Sequence, residues 1–259
     1  MSTLLFTQQN GVGKITLNRP KAFNSLNKEL AFALHAALDK CAEDDSIRAV
    51  ILTGEGKAFC AGQDLVEVTT PELMPGFKTL LEEHYRPIII KIRNLEKPVI
   101  AAVNGVAAGA GANIPLACDI VVASEKASFI QAFSGIGLVP DSGGTFFLPR
   151  LIGFQKAVAI SMLGDKIRAQ EAEQMGMIYK AIPAEEFVEQ VDKLANRLAK
   201  MPTKGLALTK KAFSSSLSNS LEEQLVVENS AQIAASETED YTEGVTAFLE
   251  KRKPNFKGK

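Results

Sequence analysis

Two apolar runs, RAVILTG at residues 48–54 and KPVIAAVNG at 97–105, each lead into a stretch dense in Gly and Ala: GKAFCAGQDL at 56–65 and NGVAAGAGANIPLACD at 104–119. Runs this short and this uniformly apolar predict buried strands. The small residues then fall where the backbone turns out of each strand toward a helix. They permit either tight packing of strand on helix or close approach of a ligand to main-chain N–H groups.

Strand and helix periods alternate through the rest of the first two hundred residues. Residues 3–9 and GKITLNRP alternate as strands do, with Ile15 and Leu17 on one side. From Asn27 the period changes, and Leu30, Leu34, Ala37, Leu38 and Cys41 mark one face of a helix of about four turns. TTPELMPGFKTLLEEHYRPIIIKIRNLE reads as largely helical after its prolines, and DIVVAS and ASFIQAF add short strands. Beyond residue 143 the pattern is mostly helical, with helices expected at 154–164 and 184–200 and amphipathic segments from 203 to 250. The α/β class follows for residues 1–200, and the helical region 201–259, which has no sheet to cover, must pack on something else, such as another subunit.

Several function classes fall away. Lys and Arg total 29 against 30 acidic residues, a net charge of −1, so no broad positive field exists for nucleic acid or an anionic membrane. Any anionic ligand must be met by a few local cations. Cys41, Cys60 and Cys118 are scattered without C-x-x-C spacing and read as reduced, buried thiols. The opening MSTLLFTQQNGVG has no basic segment followed by a signal-length apolar run, and no stretch approaches the ~20 apolar residues of a membrane span, so a soluble cytoplasmic protein is expected. G-x-x-x-x-G-K-[ST] is absent, and GAGANI places Ile114 where a dinucleotide fingerprint needs a small residue. His35 and His84 have no metal-ligand partner at helical spacing and read as solvated or half-buried, and Ser134, Ser142 and Ser161 lack a G-x-S-x-G context. No metal site is expected.

NRPKAFNSL, AFCAGQDL, KPVIAAVNGVAAGAGANIPLACDI, GLVPDSGGTFFLPRLIG, GMI and FLEKRKPNFKGK occur in the order seen in the enoyl-CoA hydratase/isomerase (crotonase) superfamily, which essentially the whole chain resembles. The resemblance implies a crotonase-like spiral of ββα units with a C-terminal helical trimerisation region. It also implies a homotrimer or a homohexamer of paired trimers, and an acyl-CoA thioester ligand with no cofactor beyond the substrate's own CoA.

Members of that superfamily stabilise the enolate of a thioester, whose developing charge is held by two main-chain N–H groups, each worth roughly 2.7 to 4 kcal/mol in the transition state. The resemblance assigns these donors to Gln63 and Ala110, with Ala61, Gly62, Gly109 and Gly111 keeping the approach open. Where hydratases of the superfamily carry two glutamates, this chain has Asn113 and Phe133, neither able to take a proton. Asp141 matches the catalytic aspartate of isomerases in the superfamily and becomes the sole acid/base. Its local context also permits a helix N-cap at the turn into SGGTFFL. A helix N-terminus would lower its pKa and burial among Phe133, Ile136, Leu138 and Val139 would raise it; a base near neutral pH needs the second effect to prevail.

The same resemblance lays Lys21, Ala22 and Phe23 along the pantetheine and adenosine, with Lys251 from a neighbouring subunit near the phosphates and Phe248 near the nucleotide end. EKRKPNFKGK also reads as a solvated basic tail. Asp64 reads as a brace for the oxyanion turn or as a substrate contact, and Val66, Met74, Phe77 and Leu81 as acyl-pocket lining or as core. The implied activity is acyl-CoA isomerisation, either opening the ring epoxide of phenylacetyl-CoA to an oxepin or shifting a double bond along an enoyl-CoA. Enoyl-CoA hydration in fatty-acid β-oxidation, and a non-catalytic member binding acyl-CoA or RNA, are the alternatives.

Overall fold

A computed structural model describes residues 2–259. Strands β1 (Leu4–Gln9), β2 (Val12–Leu17), β3 (Ala49–Gly54), β4 (Ala58–Cys60), β5 (Val99–Val103), β6 (Val106–Ala108), β7 (Ile120–Ser124), β8 (Ser128–Ile130), β9 (Lys166–Arg168) and β10 (Lys180–Ile182) form two sheets. The larger has the order β1-β2-β3-β5-β7-β10 and is parallel except for the β1–β2 hairpin. The smaller has the order β4-β6-β8-β9, with only β9 antiparallel. In β3–β4, β5–β6 and β7–β8 the chain crosses from the large sheet to the small one within two or three residues. The same step repeated three times winds the body into a spiral.

Burial on both faces explains why β3 up to Leu52, and all of β5, are apolar. Val50 and Leu52 of β3 enter the main core with Leu30, Leu34 and Ile88. Ala49 and Ile51 point the other way, against Phe187, Val191 and Ala195 of the helix Phe187–Leu198. A sheet covered on both faces leaves no place for an outward polar residue. Helix Lys28–Glu43 covers the first face, and the Asn27 side chain caps it by accepting from the Leu30 N–H.

The glycine-bearing stretches are more than turns, since β4 and β6 lie inside them, and β9 and β10 interrupt the region expected to be mostly helical. Each of these four strands has three residues, too few for an alternation pattern, and pairing alone defines them. The segment expected to be helical over 69–96 is broken as well. Helix Leu65–Thr69 ends in an open stretch containing Pro71, Pro75 and Gly76, and a π-type turn, Leu80–Tyr85, precedes helix Arg86–Asn94. A proline inside an α-helix collides with the carbonyl four residues back, and the wider turn ahead of Pro87 opens the backbone there.

Helices Thr203–Ser216, Leu221–Ser236 and Glu239–Leu249 form the C-terminal region. The middle helix buries none of its residues, and Leu221, Val226 and Ile233 lie exposed on it. The region is tied to the body by Arg48, which donates to the main-chain oxygens of Met201 (2.6 Å) and Phe256 (2.7 Å). No helix among the described residues is long and apolar enough to cross a membrane.

Candidate active site

β4 and β6 are parallel neighbours, so the segments leaving them, Ala61-Gly62-Gln63 and Gly109-Ala110, emerge side by side. Gly62 (φ +88°) and Gly109 (φ +54°) take backbone conformations that side chains resist. A Cβ on Gly62 would lie 2.8 Å from the Ala108 oxygen and 3.5 Å from the Ala110 nitrogen. Gly111 is different: its φ is ordinary, but a Cβ there would lie 2.1 Å from the Cys60 oxygen. Close packing therefore accounts for Gly62 as well as Gly111, whereas at Gly109, which is partly exposed, a Cβ would meet nothing nearer than the Phe133 ring at 3.9 Å.

Among the described residues, no main-chain carbonyl receives the N–H of Gln63 or of Ala110. Gln63 is flanked by two bonds to Leu26, whose N–H donates to the Gly62 oxygen (2.7 Å) and whose oxygen accepts from Asp64 (2.9 Å). Those two bonds pin the peptides on either side and turn the N–H of Gln63 away from Leu26. Ala110 opens the short helix Ala110–Asn113, so its N–H has no acceptor within that helix. Two unclaimed peptide donors on adjacent turns suit a developing oxyanion.

Asp64 is committed inside the protein. Its Oδ1 accepts from Val66 N (2.9 Å), capping helix Leu65–Thr69, and its Oδ2 receives Arg19 Nη2 at 2.6 Å. Asn24 donates to the Glu55 and Ala58 oxygens, and the Phe23 oxygen accepts from Ala61 N (3.0 Å). Lys21, Ala22 and Phe23 are thereby brought beside the oxyanion turn, with Lys21 and Phe23 exposed. Phe248 and Lys251 are not brought there within this chain. Phe248, 83% exposed, lines a groove with Pro202, Tyr241, Val245 and Phe256. Lys251 closes its own helix by donating N–H to the Phe248 oxygen.

The Gln63 side chain also does something the sequence did not show. Its Nε2 donates to Glu67 Oε2 (3.0 Å), its Oε1 accepts from the Tyr85 hydroxyl, and Glu67 Oε1 accepts from Lys28 N (2.7 Å). Tyr85 is buried at the end of the π-type turn, and burial first, then the Asp141 charge, pushes its phenol well above the usual range. A tyrosine just ahead of a proline in a helical run was the only signal in the sequence.

Asp141 does not cap a helix with its side chain. Helix Gly144–Ile152 begins after Gly143, which carries no side-chain cap, and only the main-chain oxygen of Asp141 takes part, accepting from Gly144 N at 2.8 Å. The carboxylate Oδ1 is buried without a hydrogen-bond partner. Burial pushes the carboxyl up to about 6, against smaller opposing bonds from Ser142 and its own main chain. The apolar shelter expected around it is only partly real. Phe133 is buried and packs over Gly109, but Ile136 and Val139 are 64% and 77% exposed, and Leu138 is exposed too. Those three side chains, with exposed Val66, Phe77 and Leu81, form apolar surface rather than core; Met74 is half-buried.

Asn113 is wholly buried, and its Nδ2 donates to the Asp141 main-chain oxygen at 2.9 Å. His35 and His84 are buried rather than solvated: His35 Nε2 meets the His84 oxygen at 2.9 Å, and the Phe32 ring packs edgewise on both imidazoles. Burial lowers both their pKa values.

The sequence matches the family described as Enoyl-CoA hydratase/isomerase over residues 7–259. It is 44% identical, over 100% of both chains, to a protein named 1,2-epoxyphenylacetyl-CoA isomerase from Escherichia coli (strain K12). It is also 44% identical to a "Probable enoyl-CoA hydratase" from Rhodobacter capsulatus, over 99% of this chain and 98% of the relative. The fold matches the crystal structure of an enoyl-CoA hydratase from Bacillus anthracis with a TM-score of 0.91 at 35% identity, covering 99% of this chain and 100% of the other.

Proposed function

The chain belongs to the enoyl-CoA hydratase/isomerase family, and from that premise we propose that it is an acyl-CoA isomerase with one carboxylate, Asp141, as acid and base. The carrying observation is a single unpartnered carboxylate oxygen in a site whose neighbouring turns hold two unclaimed peptide N–H groups. The thioester oxygen of the substrate sits between the amides of Gln63 and Ala110. Asp141, ionised above about pH 6, takes the proton that becomes acidic as charge moves onto that oxygen, then returns it elsewhere on the same acyl group. Isomerisation needs no second base to activate water, and Asn113 and Phe133 supply none.

The substrate class we favour is 1,2-epoxyphenylacetyl-CoA, with double-bond shift in an enoyl-CoA as the related reaction. The similarity to the Escherichia coli relative and the exposed apolar surface of Val66, Phe77, Leu81 and Leu138 support this reading. The CoA moiety lies along Lys21, Ala22 and Phe23, with Lys251 and Phe248 supplied by a neighbouring subunit of a homotrimer or hexamer. The exposed apolar residues of helix Leu221–Ser236 give that assembly a contact face. No cofactor beyond the substrate's own CoA takes part, and the protein works in the cytoplasm.

Asp141→Asn tests the proposal on 1,2-epoxyphenylacetyl-CoA, a 3-enoyl-CoA and crotonyl-CoA. Isomerisation of the first two is expected to fall at least 100-fold, with wild-type activity rising with pH through about 6 to a plateau. Retained isomerisation would remove Asp141 from its role, and wild-type water addition to crotonyl-CoA at a rate rivalling isomerisation would make the enzyme a hydratase.

A further inference from the structure

A base that must stay basic near neutral pH cannot be held in place by many bonds to its own oxygens, because each donor to a carboxylate favours the ionised form and lowers its pKa. Asp141 is held instead by its backbone. Its main-chain oxygen accepts from Gly144 N at 2.8 Å and from Asn113 Nδ2 at 2.9 Å, which occupies both lone pairs of that carbonyl. The next residue, Ser142, has φ +50°, a conformation that a non-glycine residue keeps only when its neighbours hold it there.

The polarity of the chain of bonds behind this grip is forced. A main-chain carbonyl only accepts, so the Asn113 amide must turn its NH2 to Asp141 and its Oδ1 away. Oδ1 accepts from Gln131 Nε2 at 2.8 Å, which fixes the Gln131 amide in turn and leaves Gln131 Oε1 buried with no partner. Asn113 is 0% and Gln131 3% exposed. Space for the Asn113 amide exists because residue 144 is glycine, where a Cβ would fall 2.3 Å from Nδ2. Asn113 also ends the helix that Ala110 begins, so one helical turn, ~4.5 Å of rise, links an oxyanion donor to the grip on the base.

We infer that Asn113 and Gln131 are positioning residues: a buried amide relay that orients Asp141 through its main-chain carbonyl while leaving carboxylate Oδ1 without a partner. The inference rests on the acid/base role proposed for Asp141. A residue that merely filled space at position 113 would affect folding and not the chemistry of residue 141.

The test measures kcat, KM and the pH profile of 3-enoyl-CoA isomerisation, and thermal melting, for Asn113→Ala, Gln131→Met and Asp141→Asn beside the wild type. The relay predicts that Asn113→Ala lowers kcat at least 10-fold with KM changed less than 2-fold. Its acid limb moves below the wild-type value, because a loosened loop admits water and relieves the burial that raises the carboxyl. Gln131→Met keeps the side-chain length and the Asn113 amide but removes its anchor, and gives the same signature about 3-fold in kcat. A lowered melting temperature with kcat and the acid limb unchanged would overturn the relay and leave Asn113 a packing residue. Should Asn113→Ala fail to fold, Gln131→Met decides, and an unaltered kcat there overturns the inference. Turnover retained by Asp141→Asn would instead bring down the acid/base role itself, an outcome separate from failure of the relay alone.

Discussion

The two turns that present Gln63 and Ala110 do the same thing by different means. Around Gln63 the backbone is held by charge and side-chain bonding: Arg19 on Asp64, Glu67 and Tyr85 on the Gln63 amide, Leu26 on both flanking peptides. Around Ala110 the side chains carry no charge, and the chain is held by Gly111 lying against the Cys60 carbonyl and by the neutral amides of Asn113 and Gln131. An unclaimed N–H therefore does not require one kind of support. A networked turn should degrade in steps as partners are removed, whereas an interlocked one should fail at once when volume is added.

Gly111→Ala applies the harshest test, since its Cβ would overlap a backbone carbonyl that cannot swing aside. Destabilisation of about 4 kcal/mol by urea denaturation, or no soluble protein at all, is expected. A loss under 1 kcal/mol would show that the Ala110 side is as forgiving as the other. Asp141→Asn sharpens the contrast from within the site. The folded carboxyl lies at about 6 against 3.8 for an ordinary aspartate, so the ionised form penalises folding as pH rises through that window. The variant should be roughly 2 to 3 kcal/mol more stable than the wild type at pH 8 and equal to it below pH 4, as melting across pH would show. Arg19→Ala removes one member of the network and should cost about 2 kcal/mol in denaturation, since the pair is only partly shielded from water. Tyr85→Phe is the mildest: it leaves Gln63 Oε1 without its donor, costs about 1 kcal/mol and lowers kcat several-fold. A Tyr85→Phe effect as large as that of Gly111→Ala would erase the distinction between the turns.

The sequence was a good guide where pattern and burial coincide. β3 and β5 were visible as apolar runs, helix Lys28–Glu43 as apolar residues recurring at helical spacing from Asn27, and the C-terminal helices as amphipathic segments. β4, β6, β9 and β10 were not visible, because three residues defined by pairing across the small sheet leave no periodic trace. At the site, the sequence pointed to Asp141 and to the glycine-flanked amides. It showed Asn113 only as a residue that is not an acid; that its amide grips the main chain of residue 141, 28 positions away, depends on tertiary packing. Apolar Ile136, Leu138 and Val139 suggested enclosure, but all three lie exposed, on either side of the left-handed turn at Gly137 (φ +73°).

Peptide groups neither gain nor lose protons across the range in which enzymes work, so a carbonyl held by two of them is gripped as firmly in mild acid as in mild base. On the proposed mechanism, acidification silences turnover by titrating one carboxyl while the thioester stays docked. A complex assembled at pH 5 would thus be a loaded but idle enzyme, ready to be started by a jump to pH 8.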